Sequence, residues 1–208
     1  SSINSWTVVK NYEYNISFQE TESTVILHSD QDGRILEGET NTTVWFGHNN
    51  LTNVRIILEW DDDIQTLEDL EDLGFPQATI DAISAVFGFV FPDTFELSIN
   101  TTEMSGISDF SEQSNDEYIA ANYTNISDTP SNPGIFQFET SGGVWNWLEN
   151  NFAANETGHG NWTIAVTCIH ASPDDVLGFF FDPDDGNNFT LSIVFVYYTA
   201  VLTEVSMV

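Results

Sequence analysis

Positive charge is what this sequence most lacks. Three residues, Lys10, Arg34 and Arg55, stand against 33 Asp and Glu in 208 residues, and the formal net charge is −30. No Lys or Arg follows Arg55. A nucleic-acid binder needs cations against phosphate, so that class is excluded. Docking on anionic lipid is disfavoured for the same reason. Cysteine is almost absent. The single Cys168 cannot build an intrachain disulfide framework, nor Cys-cluster zinc, iron–sulfur or c-type haem sites. Long apolar runs are missing as well. The longest, residues 193–202, is broken by Thr199 and is too short to cross a bilayer. No charged-then-apolar leader opens the chain, and a start at Ser1 fits a leader already removed. Catalytic signatures are absent too: there is no G-x-S-x-G, H-E-x-x-H, Walker A or G-x-G-x-x-G pattern. Carboxylates are too numerous for one pair to stand out as a glycosidase dyad. Cys168 and His170, two apart on one predicted strand, read as a core thiol beside a strand-end imidazole rather than a nucleophile and base. No enzyme is expected.

What is present points outside the cell. The sequon Asn-x-Ser/Thr occurs nine times, at Asn15, Asn41, Asn50, Asn100, Asn122, Asn125, Asn155, Asn161 and Asn188. Nine sequons spread over the whole chain imply an exported, N-glycosylated protein at the cell surface. Secreted animal domains usually carry disulfides, and this one cannot. An acidic, base-poor, disulfide-free exported chain suits an archaeal, salt-adapted surface protein.

Period-two alternation dominates the pattern. In residues 6–18, Trp6, Val8, Tyr12, Tyr14, Ile16 and Phe18 fall on one face, with Lys10 the exception. Further strands are expected at 24–28, 43–46, 53–60, 94–100, 135–140, 161–170 and 189–205. Residues 61–90 break this rhythm. Asp61, Asp62 and Asp63 can cap a helix that carries Ile64, Leu67, Leu70 and Leu73, and Gly74 and Pro76 stop it. A second helix follows over 78–87, with Ile80, Ile83 and Phe87 on one stripe and Gly88 as its cap. Residues 101–134 read as a long loop with a short strand near Tyr118, and 144–152 as one or two helical turns. The expected fold is all-β: a single antiparallel β-sandwich, jelly-roll-like, with a helical hairpin inserted at 61–90.

Two family resemblances follow. Leu58-Glu59-Trp60-Asp61-Asp62, then 92–97 (PDTFEL), 160–166 (GNWTIAV) and 185–191 (DGNNFTL), resemble the jelly-roll accessory modules behind secreted proteases, the P-domain and pre-peptidase C-terminal type. That resemblance spans 54–200 and implies a non-catalytic sandwich, sometimes calcium-bound. In composition and architecture the chain also resembles archaeal extracellular filament and surface-layer subunits, which are small glycosylated β-sandwiches that give a terminal strand to the next subunit. Type IV pilins match poorly, because their long apolar N-terminal helix has no counterpart here.

Three groups of residues are candidates for function. Asp182, Asp184, Asp185 and Asn187 cluster oxygens around Gly186 and could hold calcium, although position twelve of an EF-hand-like loop is Ile193 instead of Glu. Asp61 to Asp63 with Asp93 form a second such cluster. Trp145 and Trp147 could make a sugar-stacking platform, whereas Trp162 reads as core. The chain ends suggest self-assembly. Residues 191–201 are apolar on both faces, with Leu191, Ile193, Phe195 and Tyr197 against Val194, Val196 and Tyr198. Either the 61–90 hairpin or a neighbouring subunit must cover the second face. Edges without Lys are unguarded, and strand donation through residues 1–18 would hide them. The expectation is a head-to-tail homopolymer, the alternative a monomeric module that binds carbohydrate or protein.

Overall fold

A computed structural model describes residues 11–61, 71–72, 74–87, 92–101, 104, 106–152, 158–171 and 186–205. The strands, in chain order, are β1 (Tyr12–His28), β2 (Ile35–Leu36), β3 (Thr40–Phe46), β4 (Leu51–Trp60), β5 (Thr94–Asn100), β6 (Phe110–Ser114), β7 (Tyr118–Tyr123), β8 (Gly134–Phe138), β9 (Asn161–His170), β10 (Gly186–Asn187) and β11 (Phe189–Glu204). Two helices, α1 (Gln77–Phe87) and α2 (Gly143–Asn151), complete the described elements.

One sheet runs β7-β4-β11-β1-β8, the other β3-β9-β5-β6, and β2 pairs with β10 alone. Every pairing is antiparallel. With β8 set aside, every connection between the eight sandwich strands crosses from sheet to sheet except β5 to β6. That is the jelly-roll arrangement, and the all-β sandwich expected from the alternation is present. Strands β4, β5 and β9 bury one residue in two. Leu58 and Trp60, Phe95 and Leu97, and Trp162 and Ile164 meet between the sheets. Aromatic rings fill the middle: Trp45 lies 5.6 Å from Trp162, and Trp60 lies 4.7 Å from Phe95.

The two longest strands do something the short ones cannot. At roughly 3.3 Å per residue, β1 and β11 run about 50 Å beside each other, beyond the reach of the facing sheet. In their inner halves the odd-numbered residues face the sandwich: Leu191, Ile193 and Phe195 are buried, and Val25 and Leu27 pack against the same core. In their outer halves the even-numbered residues are covered, on the opposite face. Ile16 is buried there with Val144 and Leu148 of α2, and Tyr14, Phe18, Phe136, Phe138, Ala200 and Leu202 pack around them. The ribbon thus has one core on each side, displaced along its length.

This arrangement corrects two expectations. Residues 6–18 and 24–28 were expected as separate strands, but β1 is continuous from Tyr12. Its polar middle, 19–23, is where the covered face changes over, so neither face there is strongly apolar. On the second face of β11, α2 covers Ala200 and Leu202 at the outer end, while Val194, Val196 and Tyr198, where a cover was expected, are half-buried and stand outside that core. Of the expected 61–90 hairpin, α1 is present, starts after Pro76 and buries Ile80. Gly74 has a φ of 83°, as a helix-stopping glycine should. Residues 64–70 and 73 lie outside the described residues. The expected 101–134 loop contains β6 as well as β7. No helix among the described residues is long and apolar enough to cross a membrane.

Candidate strand-accepting groove

Strand β4 stops short. Its pairing with β11 ends at Leu51 opposite Tyr197, while β11 continues to Glu204. The Tyr198 amide still donates to the Asn50 carbonyl, at 3.2 Å. Beyond it, among the described residues, no strand flanks β11 on the side away from β1. The ladder fixes which groups are left. Val205 donates its N–H to the Glu13 carbonyl at 2.8 Å, so 199, 201, 203 and 205 bond toward β1. The backbone groups of Ala200, Leu202 and Glu204 therefore point to the open side.

A groove of about 550 Å³ lies along that edge, lined by Trp145, Leu148, Glu149 and Phe152 of the α2 region and by Ala200 and Leu202 of β11. Each wall has a local cause. Helix α2 presents Val144 and Leu148, one turn apart, to the ribbon. The Phe152 N–H closes the helix on the Leu148 carbonyl at 2.8 Å, and the Phe152 ring stacks on Phe18 at 5.0 Å. Trp145 stands on the rim, 64% exposed. At the groove's inner end the Tyr198 hydroxyl donates to Glu20 at 2.9 Å, a bond that raises the phenol's pKa above its ordinary value. A sheet edge beside an apolar groove is what strand addition requires.

The sequence-expected residues are distributed as follows. Tyr12, Tyr14, Ile16 and Phe18 belong to the chain's own sheet, between β8 and β11, and Ile16 is fully buried. Trp6 and Val8 lie outside the described residues. Trp145 and Trp147 do not share a face, being about 200° apart on the helix. Trp147 packs on Phe136 at 4.6 Å, so the two indoles make no common sugar platform. Trp162 is core, and its Nε1 donates to the Gly158 carbonyl at 2.9 Å. Cys168 is buried between the sheets and His170 is exposed at the strand end.

Of the calcium candidates, Asp182, Asp184 and Asp185 lie outside the described residues, as do Asp62 and Asp63. Asn187 is buried, but its amide nitrogen is used structurally. It donates to the Asp61 carbonyl and, at 2.5 Å, to the carboxylate of the fully buried Asp93. Asn187 thereby links Asp61 to Asp93. The cleft beside it, about 570 Å³, is lined by Asp30, Glu59, Asp61, Asp116 and Glu117. Among the described residues no three His, Cys, Asp or Glu are grouped to hold a metal.

The sequon asparagines fare differently from one another. Asn15, Asn100, Asn122, Asn125, Asn161 and Asn188 are exposed, Asn41 is half-buried, and Asn155 lies outside the described residues. Asn50 stands apart: it is buried at a tight turn with φ 55°, and its backbone carbonyl accepts from the Tyr198 amide. At Asn15 and Asn161 the middle sequon residue, Ile16 or Trp162, points inward and turns Asn and Ser/Thr outward, whereas on β3 the exposed middle residue is Thr42 and Asn41 shares the inward face of Trp45.

The chain matches no protein-family model and no curated protein sequence.

Proposed function

We propose that this chain is a non-catalytic structural subunit of a secreted, N-glycosylated, archaeal-type cell-surface filament, in which the segment before β1 of one copy adds as a strand beside Ala200–Glu204 of the next. The observation that carries this reading is the open β11 edge with its apolar groove. The donor is narrowed from residues 1–18 to 1–10, because Tyr12 onward is already paired. Ten extended residues reach about 33 Å, ample for an edge of five. Residues 1–12 contain no Asp or Glu and include Lys10, whereas Glu149 lines the groove and Glu204 ends the strand. Trp6 and Val8, two apart, share one face of an extended donor and would both face the groove. A head-to-tail contact of this kind leaves a free donor and a free groove at opposite ends, so growth does not close. Mutual repulsion at −30 per subunit is reduced where salt screening is strong.

The test is removal of residues 1–10, with electron microscopy and sedimentation of the product. The expected result is a folded, dispersed monomer that binds a synthetic peptide of residues 1–10 and loses that binding when Leu202 is changed to Lys. Polymers persisting after the deletion would overturn the strand-donor reading. A peptide affinity indifferent to Leu202→Lys would overturn the groove as its acceptor.

A further inference from the structure

Eight large apolar side chains stand exposed among the described residues, and four of them are the cross-strand partners of two sequons. Phe46, 59% exposed, lies opposite Asn161 across β3–β9, and Val44, 56% exposed, lies opposite Thr163. Ile135, 62% exposed, lies opposite Asn15 across β1–β8, and Val201, 39% exposed, lies opposite Ser17 across β1–β11. Asn161 with Thr163, and Asn15 with Ser17, are the first and third residues of their sequons. Directly opposed residues share a face and touch.

The ladder makes these neighbours close. Gly47 donates its N–H to the Gly160 carbonyl at 2.8 Å, so Phe46–Asn161 and Val44–Thr163 are non-hydrogen-bonded pairs. Because Asn15 bonds toward β11, Asn15–Ile135 is a pair of the same kind. Such pairs hold their Cα atoms about 4.5 Å apart. Trp162 and Ile16, both fully buried, fix the outward aim of each sequon. His159 meets the Phe46 ring edge-on, at 4.8 Å and 86°, and still leaves most of it open. Asn122 provides the contrast, since its partner is Arg55.

We propose that Asn161 and Asn15 carry N-linked glycans whose first sugar lies on these apolar partners, Phe46 with Val44 and Ile135 with Val201. This rests on the glycoprotein reading above. A pyranose has one face of C–H groups and a rim of hydroxyls, so it covers an aromatic or aliphatic side chain while keeping its polar groups in water. In the modification the Asn Nδ2 bonds to C1 of a sugar carried on a lipid-linked phosphate. The C1–O bond to phosphate breaks, the lipid phosphate leaves with the electron pair, and the amide gives up one proton. Apolar side chains that read as surface liabilities are in this account the floor of two sugar seats.

The experiment uses protein expressed in its native host. Glycopeptide mass spectrometry reads occupancy, and thermal unfolding reads coupling between Thr163→Val, which removes the sequon but keeps Asn161, and Phe46→Ala. Expected are occupied Asn161 and Asn15, a Tm about 2 °C lower for Thr163→Val in the otherwise native chain, and less than half that loss beside Phe46→Ala. Equal losses in both backgrounds, or an Asn161 left bare while other sequons are modified, would overturn the proposal. No modified sequon at all would overturn the glycoprotein reading with it.

Discussion

Replacing Leu148 by Ala should loosen the α2 core without loosening the sandwich. Leu148 is 7% exposed and, with Val144, is one of the two buried residues of α2. Truncation removes three carbons, at about 0.8 kcal/mol each, or about 2.4 kcal/mol. Leu148 borders an open groove, so relaxation and water limit the further cavity cost, and the total should sit near the low end of the roughly 2–5 kcal/mol range. Among the described residues the α2 core has three buried members, Ile16, Val144 and Leu148. A loss of that size should therefore appear as local opening of α2 and β8. At 1.4 kcal/mol per tenfold, about 2.5 kcal/mol corresponds to roughly 60-fold faster hydrogen exchange at the amides of α2 and of β8. Amides of β4 and β9, which lie in the other core, should keep their protection within a few-fold. The assay is peptide-resolved hydrogen exchange at a pH and temperature where the wild type exchanges by local opening. Equal acceleration of β9 would show one cooperative core and refute the two-core description. No acceleration of α2 would show that Leu148 does not hold the helix.

Three other outcomes follow from the structure. Asn187→Ala removes the amide that donates to buried Asp93 and to the Asp61 carbonyl, and should cost about 1.5–3 kcal/mol by denaturant titration. Tyr123 has a buried hydroxyl that finds no hydrogen-bond partner among the described residues, and its pKa is pushed up to about 12, first by burial and then by Asp109. The folded chain therefore keeps a proton that the unfolded chain loses, so stability should fall as pH rises from about 10 to about 12. Tyr123→Phe should flatten that fall and be neutral or slightly stabilising at pH 7, and a variant that falls as steeply as the wild type would contradict this. Gly47 has no room for a Cβ, which would sit 2.0 Å from the Gly158 carbonyl oxygen; Gly47→Ala should lower stability by about 1–3 kcal/mol in the same titration.

The sandwich was legible because β4, β5 and β9 are sampled by one core on one side, which prints period two on the sequence. Where that condition fails, the pattern fails. Strand β6, with the sequence FSEQS, is an edge strand with little burial, and it reads as loop. Strand β1 read as two because its polar middle lies between cores on opposite faces. The cover of the outer end of β11, α2 over Ala200 and Leu202, was harder to read, because it shows only Val144 and Leu148 as buried positions among exposed Asn and Glu. The groove was half legible. Its floor, Ala200 and Leu202, is written in the alternation, whereas its opening depends on β4 ending at Leu51, and no local signal fixes where a partner strand stops. The sequons show the same limit: exposure at Asn15 and Asn161 follows from alternation, while burial of Asn50 comes from a turn that only the packed chain defines.

The change of covered face along β1 and β11 bears on which length changes this family of shapes can absorb. A single residue added to each strand at the 19–23 crossover keeps the two strands paired, but it turns everything beyond it over. Ile16 and Leu202 would then face the sandwich side, and α2 would find Asn15, Ser17 and Val201 where its apolar floor had been. Two residues added to each strand restore the original aspect and merely push the α2 core farther out. The ribbon should therefore lengthen or shorten in even steps, with the distance between the two cores quantised at about 7 Å, two strand residues at a time.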